Sequence, residues 1–349
     1  MFAYARTLAL VAALGAAGSP FVACASEADD AFRAAAEHYA ARDWQAACDD
    51  FARLLSIERD HPRANQARFH YGEALVQLKR YQDARGQFDA LLENDPLDRY
   101  ARQALYRSGE ASFLAGDRAA ARRQLQAFRQ QHPDDELNAF ALAYLGRIEL
   151  DDGQPAAAEP LFTAAIERYP KSRLVDQCQW GQAEALAQQK RFEDARRGYQ
   201  RLAEARGRFA EYALLRLAAL DNDKAEYAAA LAWLDRMSRE FPQGALADKA
   251  ALGRGYALYK LGRTPEAEVA LAGLLSHDSQ AVDAHYWLGM SQFGRKAWKE
   301  SAATFAAGAA IDPRHRWNET LSYQAACALL NDGQFDAAAE QFDRVLVQW

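Results

Sequence analysis

From about residue 28 onward, small and bulky positions recur among polar stretches on a fixed ruler. Gly72, Ala84, Phe88 and Pro96 are followed by Gly109, Ala121, Leu125 and Pro133, then by Gly146, Ala158, Phe162 and Pro170. Gly289, Ser301, Phe305 and Pro313 fit the same spacing. A bulky residue four positions after a small one shares its face of a helix, while the small residue twelve positions earlier belongs to a preceding helix. Polar stretches such as "AGDRA", "DDGQP", "LGRTP" and "NDGQF" lie between the two. Their Gly116, Gly153, Gly262 and Gly333 are placed to end the first helix. Pro62, Pro96, Pro133, Pro170, Pro242 and Pro313 close the second. Each unit is predicted to be a helical hairpin.

A second marker tests the period. The position nine after the small column reads Trp44, Tyr81, Arg118, Pro155, Phe192, Tyr227, Thr264, Trp298 and Phe335, at intervals of 37, 37, 37, 37, 35, 37, 34 and 37. Nine units therefore run from about Ala28 to Trp349. The small column itself is Ala35, Gly72, Gly109, Gly146, Ala183, Ala218, Gly255, Gly289 and Ala326. Only Gly or Ala stands there, as expected where two antiparallel helices approach closely and a larger side chain would overpack the contact by about 1–3 kcal/mol. Pro160 falls about six residues into a second helix and is expected to bend it.

A small residue, a second small residue twelve on, an aromatic or leucine four later and a closing proline together resemble the tetratricopeptide repeat. The resemblance covers essentially the whole chain after its first residues. It implies an all-α fold, a right-handed superhelical array of about nine hairpins (an α-solenoid), whose first helices line a concave groove. The 37-residue period and the stretch "DAHYWLGMSQFGRKAWKESAATF" are similar to exported bacterial members of the family, such as the periplasmic coordinator of the Tol-Pal system and the BamD-like envelope proteins. Those relatives imply a non-catalytic adaptor of the cell envelope that grips an extended peptide or a protein partner. The alternative is the repeat portion of a longer enzyme, or of a polysaccharide-secretion protein, with another domain after residue 349.

Composition narrows the setting. Ala, Leu, Arg, Glu and Gln dominate and favour helix over strand. The 42 basic against 48 acidic side chains give a net charge of −6 with no basic run, so nucleic acid is not an expected partner. Residues 1–25 read as a secretory signal, with Arg6 ahead of an apolar run from Leu8 to Ala17 that is short for a membrane span, leaving 26–349 as the repeat array. Two processing positions fit. Ala23-Cys24-Ala25 suits a cut before Ser26 and a soluble periplasmic protein. "FVAC" resembles a lipobox that would make Cys24 the lipidated first residue, on the periplasmic face of the outer membrane, and that lipid would be the only membrane contact. Cys48, Cys178 and Cys327 fall in units one, five and nine, which do not touch in a stack, so no bridge among them is expected within one molecule.

Catalytic constellations are weak. His70 and Glu73 share a helix face but lack a third ligand, and read as a solvated pair. His61, His132 and His315 flank unit-ending prolines, where a cation suits a helix C-terminus. "DNDK" from Asp221 to Lys224 lacks the glycine and distant glutamate of a calcium loop. No Ser/His/Asp or Cys/His set can be assembled, so the chain is read as no enzyme, with no cofactor and no metal.

What remains is surface. Three residues before the small column stand Phe32, Phe69, Tyr106, Ala143, Trp180, Leu215, Leu252, Tyr286 and Tyr323; one residue after it stand Ala36, Glu73, Glu110, Arg147, Glu184, Ala219, Tyr256, Met290 and Cys327. The candidate groove residues are Phe69, Glu73, Tyr106, Glu110, Arg147, Trp180, Glu184, Tyr256, Tyr259, Tyr286, Met290, Phe293 and Tyr323. The first half of the groove is expected to be aromatic and acidic, and the second, around Tyr256, Tyr259, Tyr286, Met290, Phe293 and Tyr323, aromatic and apolar. The columns show no lysine and asparagine clamp for a C-terminal carboxylate, so a basic or neutral extended segment is the expected ligand. Aromatic platforms beside carboxylates also suit a polysaccharide. At the far end Val345, Leu346 and Trp349 are apolar at helical spacing, which predicts either further chain or a docking surface there.

Overall fold

The computed structural model describes residues 27–277 and 279–348; Cys24 and both processing positions, like Trp349, lie outside the described residues. The chain divides into two compact units, residues 1–175 and 176–349. In the first, four hairpins are built from α1 (Glu27–Ala40), α2 (Trp44–Ile57), α3 (Ala64–Gln77), α4 (Tyr81–Asn94), α5 (Ala101–Leu114), α6 (Arg118–Gln131), α7 (Asn138–Asp151) and α8 (Pro155–Arg168). In the second, five are built from α9 (Val175–Gln188), α10 (Phe192–Ala205), α11 (Ala210–Asp223), α12 (Tyr227–Glu240), α13 (Ala247–Lys260), α14 (Thr264–Ala272), α15 (Ala281–Gly294), α16 (Trp298–Ile311), α17 (Asn318–Asn331) and α18 (Phe335–Gln348). Among the described residues there is no strand. Among the described residues every helix has 14 residues except α14, which has 9; with the longer link 273–280 before α15, it accounts for the 34-residue interval.

One turn geometry joins the two helices of every hairpin. Its central residue is left-handed at Arg42, Lys79, Gly116, Gly153, Lys190, Ala225, Gly262, Lys296 and Gly333. In the second hairpin Lys79 N–H donates to Val76 O at 3.0 Å and Arg80 N–H to Leu75 O at 2.9 Å. The same pair of bonds recurs in all nine turns and satisfies carbonyls that the helix end would leave open.

The small column is small because a bulky side chain of the second helix lies on it. A Cβ added at Gly72 would meet the Phe88 ring at 2.6 Å, one at Gly109 would meet Leu125 at 2.8 Å, and one at Gly289 would meet Phe305 at 2.5 Å. Phe88, Leu125 and Phe305 are themselves fully buried. In the fifth hairpin the close approach moves to the second helix, where Gly198 faces Ala183. The core of the first unit centres on Phe51, Leu75, Phe88, Leu91, Leu125 and Phe128, and that of the second on Tyr199, Leu214, Leu217, Leu234, Met237 and Phe305.

Pro160 sits inside α8, which runs continuously from Pro155 to Arg168. Pro160 and Ala156, whose carbonyl loses its donor, are both exposed, so water can serve that carbonyl. Cys48 and Cys178 are buried and Cys327 half-buried, all as free thiols. Burial pushes the first two thiols up to about 11 and about 12. On α18 only Ala338 is buried, and Phe335, Leu346 and Val347 are 67%, 78% and 89% exposed.

Candidate partner-binding face

In the first unit the predicted groove residues are largely internal. Phe69 and Tyr106 are 9% and 4% exposed: the position three before the small column lies between neighbouring first helices, so these rings are core, not groove. The predicted groove carboxylates Glu73 and Glu110 are not free either, because partners on their own and the next hairpin take them up. Arg107 on α5 donates to Glu73 on α3 and to Glu110. Tyr106 and Tyr144 hydroxyls donate to Glu110 Oε1 at 3.1 and 2.8 Å. Burial raises the Glu73 carboxyl above its usual range while Arg107 pulls it down. Arg147, half exposed, pairs with Asp151 at 2.9 Å.

His70 and Glu73 are not a solvated pair. The His70 ring lies among Tyr39, Phe51, Phe69 and Tyr100, with centroids 5.0 to 6.5 Å away, and neither ring nitrogen has a hydrogen-bond partner. Burial, aided by the Arg99 charge, pushes its pKa down to about 4. His61 and His315 do more than face a helix end. Each accepts from the backbone N–H two residues on, and each sets Nε2 near an aspartate of the preceding first helix, Asp29 at 3.3 Å and Asp283 at 3.7 Å.

The second unit presents a different face. Glu184 is taken by Arg216, whose Nε and Nη2 each donate at 2.8 Å, and by the Tyr199 hydroxyl at 2.5 Å. Beyond it the rings form a connected row. Tyr256 stands against Tyr227 at 6.0 Å and against Trp287 at 4.7 Å; Trp287 also meets Tyr259 at 5.6 Å and Tyr286 at 4.8 Å. Tyr286 stacks on Trp317 at 4.3 Å with only 11° between the planes. Lys260 Nζ lies 5.6 and 5.9 Å from the Tyr227 and Tyr256 rings. All these rings, with Met290 and Phe293, are half-buried, while Tyr323 is 49% exposed. Tyr227, Trp287 and Trp317 were outside the predicted set. Trp287 stands two before the small column, and periodic reading of that helix face would have reached it.

Trp317 belongs to a second pattern. The dipeptides Arg99-Tyr100, Arg208-Phe209 and Arg316-Trp317 each precede a first helix. In each, the aromatic stacks on the ring of the preceding hairpin: Tyr100 on Phe69 at 4.9 Å, Phe209 on Trp180 at 5.7 Å, and Trp317 on Tyr286. The arginine covers the outer ring at 4.7, 4.7 and 5.3 Å. The aromatic column is therefore partly a packing device, with Phe69, Trp180 and one face of Tyr286 spent on it.

Among the described residues no group of three or more His, Cys, Asp or Glu is placed to hold a metal ion, and no helix is long and apolar enough to cross a membrane. Asp221, from "DNDK", is buried and accepts from Arg196 and from Trp233 Nε1.

The sequence profile of the tetratricopeptide repeat matches residues 32–99, 144–213 and 250–315, more than half of the chain, and a second tetratricopeptide profile matches 103–135. The chain belongs to the tetratricopeptide repeat family. Among solved structures, the C-terminal part of a repeat-containing protein from Cytophaga hutchinsonii superposes with a TM-score of 0.61 at 13% identity, over 72% of this chain and 98% of that one. PilW, described as a widely conserved type IV pilus biogenesis factor, superposes with a TM-score of 0.50 at 16% identity, over 65% and 99%. At these identities both show the shared fold. No curated protein sequence matches the chain. Tetratricopeptide arrays are interaction scaffolds that present extended binding surfaces to peptide or protein partners.

Proposed function

We propose that the chain is a non-catalytic scaffold of the bacterial cell envelope that holds an extended segment of a partner protein on the first-helix face of its second unit. The observation that carries this is the half-buried row from Tyr227 through Tyr256 and Trp287 to Tyr286 and Trp317. Connected rings offer large contact area at low conformational cost, which is what binding surfaces concentrate. The envelope assignment rests on the N-terminal sequence alone, from Arg6 through "FVACAS".

Replacing Tyr256 by p-benzoylphenylalanine in cells and irradiating should give a discrete crosslinked species. The same residue at Val269, 77% exposed on the second helix α14, should not. Equal crosslinking from both positions, or none from Tyr256, would sink the binding-face assignment. Export is tested separately: a palmitate analogue should label the protein and Cys24→Ser should abolish the label, or else the mature chain should begin at Ser26. A cytoplasmic chain with its first residues intact would overturn the envelope assignment.

A further inference from the structure

Beside the aromatic row, the C-terminal ends of α9 and α11 enclose a cleft of about 160 Å³ with α10. One side of it is apolar, formed by Ala219, Leu220 and the Phe192 ring, which is 41% exposed, while Gln188 and Tyr199 add polar groups to the lining. Arg216 lines it too, but Glu184 neutralises that charge through two hydrogen bonds. The carboxylate left over is Asp223. It is exposed and makes no hydrogen bond or ion pair among the described residues. The adjacent Lys224 is held by Glu193 at 2.6 Å, and Lys260 is drawn to the Tyr227 and Tyr256 rings.

Asp223 stands in the last turn of α11, where the helix dipole disfavours a negative charge. Folding gains nothing from an unpaired carboxylate at that position. A cleft with one apolar side and a single unanswered negative charge suits a side chain that is aliphatic along its stem and cationic at its tip. We infer that the cleft receives a lysine or arginine side chain of the bound segment, its stem against Leu220, Ala219 and Phe192 and its charge at Asp223. This rests on the scaffold reading above and names the chemistry of its partner: an extended segment with one basic anchor beside residues that pack on the rings of Tyr256 and Trp287.

The probe is a displayed library of random peptides selected on the native protein. Selected peptides should share a Lys or Arg at one position. Asp223→Asn should weaken their binding about tenfold, as loss of a charged hydrogen bond does, and neutralising the peptide's basic residue should cost the same. The two changes together should cost no more than either alone, because they remove one interaction. Asp223→Asn should at the same time raise the melting temperature slightly, since it relieves the helix end; a purely structural role for Asp223 would lower it. Selected peptides that bind Asp223→Asn as tightly as the native protein would overturn the basic anchor and leave the scaffold standing. If the native protein selects no peptide, both fall.

Discussion

Gly72 and Phe88, sixteen residues apart, touch so closely that the Cβ which Gly72 lacks would lie 2.6 Å from the ring. Gly86, on the same hairpin, has open space within 4 Å of its own missing Cβ. Alanine gains up to about 1 kcal/mol over glycine in a helix interior, but overpacking a buried ring costs about 1–3 kcal/mol. Gly72→Ala should therefore lower stability and Gly86→Ala should raise it by about 0.5–1 kcal/mol. Urea unfolding of the two variants should move the midpoint in opposite directions. A shared direction would mean that the small column is not set by contact with the bulky one.

The nine left-handed turn residues allow a second test of sign. Ala225 occupies with φ of 59° the conformation that Gly116 adopts at 82°. A side chain in that region costs about 1–2 kcal/mol, partly offset by the flexibility glycine adds to the unfolded chain. Ala225→Gly should stabilise by about 0.5–1 kcal/mol and Gly116→Ala should destabilise by about the same. Thermal melts of both would decide it.

Tyr106 and Tyr323 share one sequence column, yet one is 4% and the other 49% exposed. Tyr106→Ala should cost about 3–5 kcal/mol, as for a large aromatic removed from a core. Tyr323→Ala should cost about 1 kcal/mol or less. Similar losses at the two positions would show that the column has one environment throughout.

His70 should make the first unit acid-sensitive. Its folded pKa of about 4 lies below the unfolded value of about 6.5, so the unfolded chain takes up the proton first. The stabilising contribution is complete above about pH 6.5 and is lost as the pH falls toward about 4, amounting to about 3 kcal/mol at most. His70→Phe should remove that part of the pH dependence, read as the difference between the two proteins' melting curves against pH. Parallel curves would contradict a neutral buried imidazole.

The hairpins, their turns and their period could be read from the chain because each rests on contacts within a few turns of helix. A glycine column, a bulky column sixteen later and a left-handed turn between them leave a regular trace. The state of the candidate site could not be read the same way. Glu73 and Glu184 meet their arginines 34 and 32 residues later, on the neighbouring first helix, and a column read one hairpin at a time does not show that. Burial of Phe69 and Tyr106 has the same origin. A position between two neighbouring first helices accepts aromatics both for packing and for binding, and composition does not separate the two. Trp287 was missed because only two columns of a broader helix face were followed. The turns of the second, fifth and eighth hairpins, where Lys79, Lys190 and Lys296 replace glycine, show that the left-handed position does not by itself require it.

Those same three hairpins carry the rings Phe69, Trp180 and Tyr286 beneath the Arg-aromatic dipeptides, so the stacked device returns at every third hairpin. "KRYQDARGQF" from Lys79 and "KRFEDARRGY" from Lys190 share five of ten residues, although two other hairpins lie between them. Copying one hairpin at a time would make neighbours the closest kin. A rhythm of three is what duplication of a whole three-hairpin block would leave. If three hairpins are the unit of duplication, related sequences should differ in length by three hairpins more often than by one.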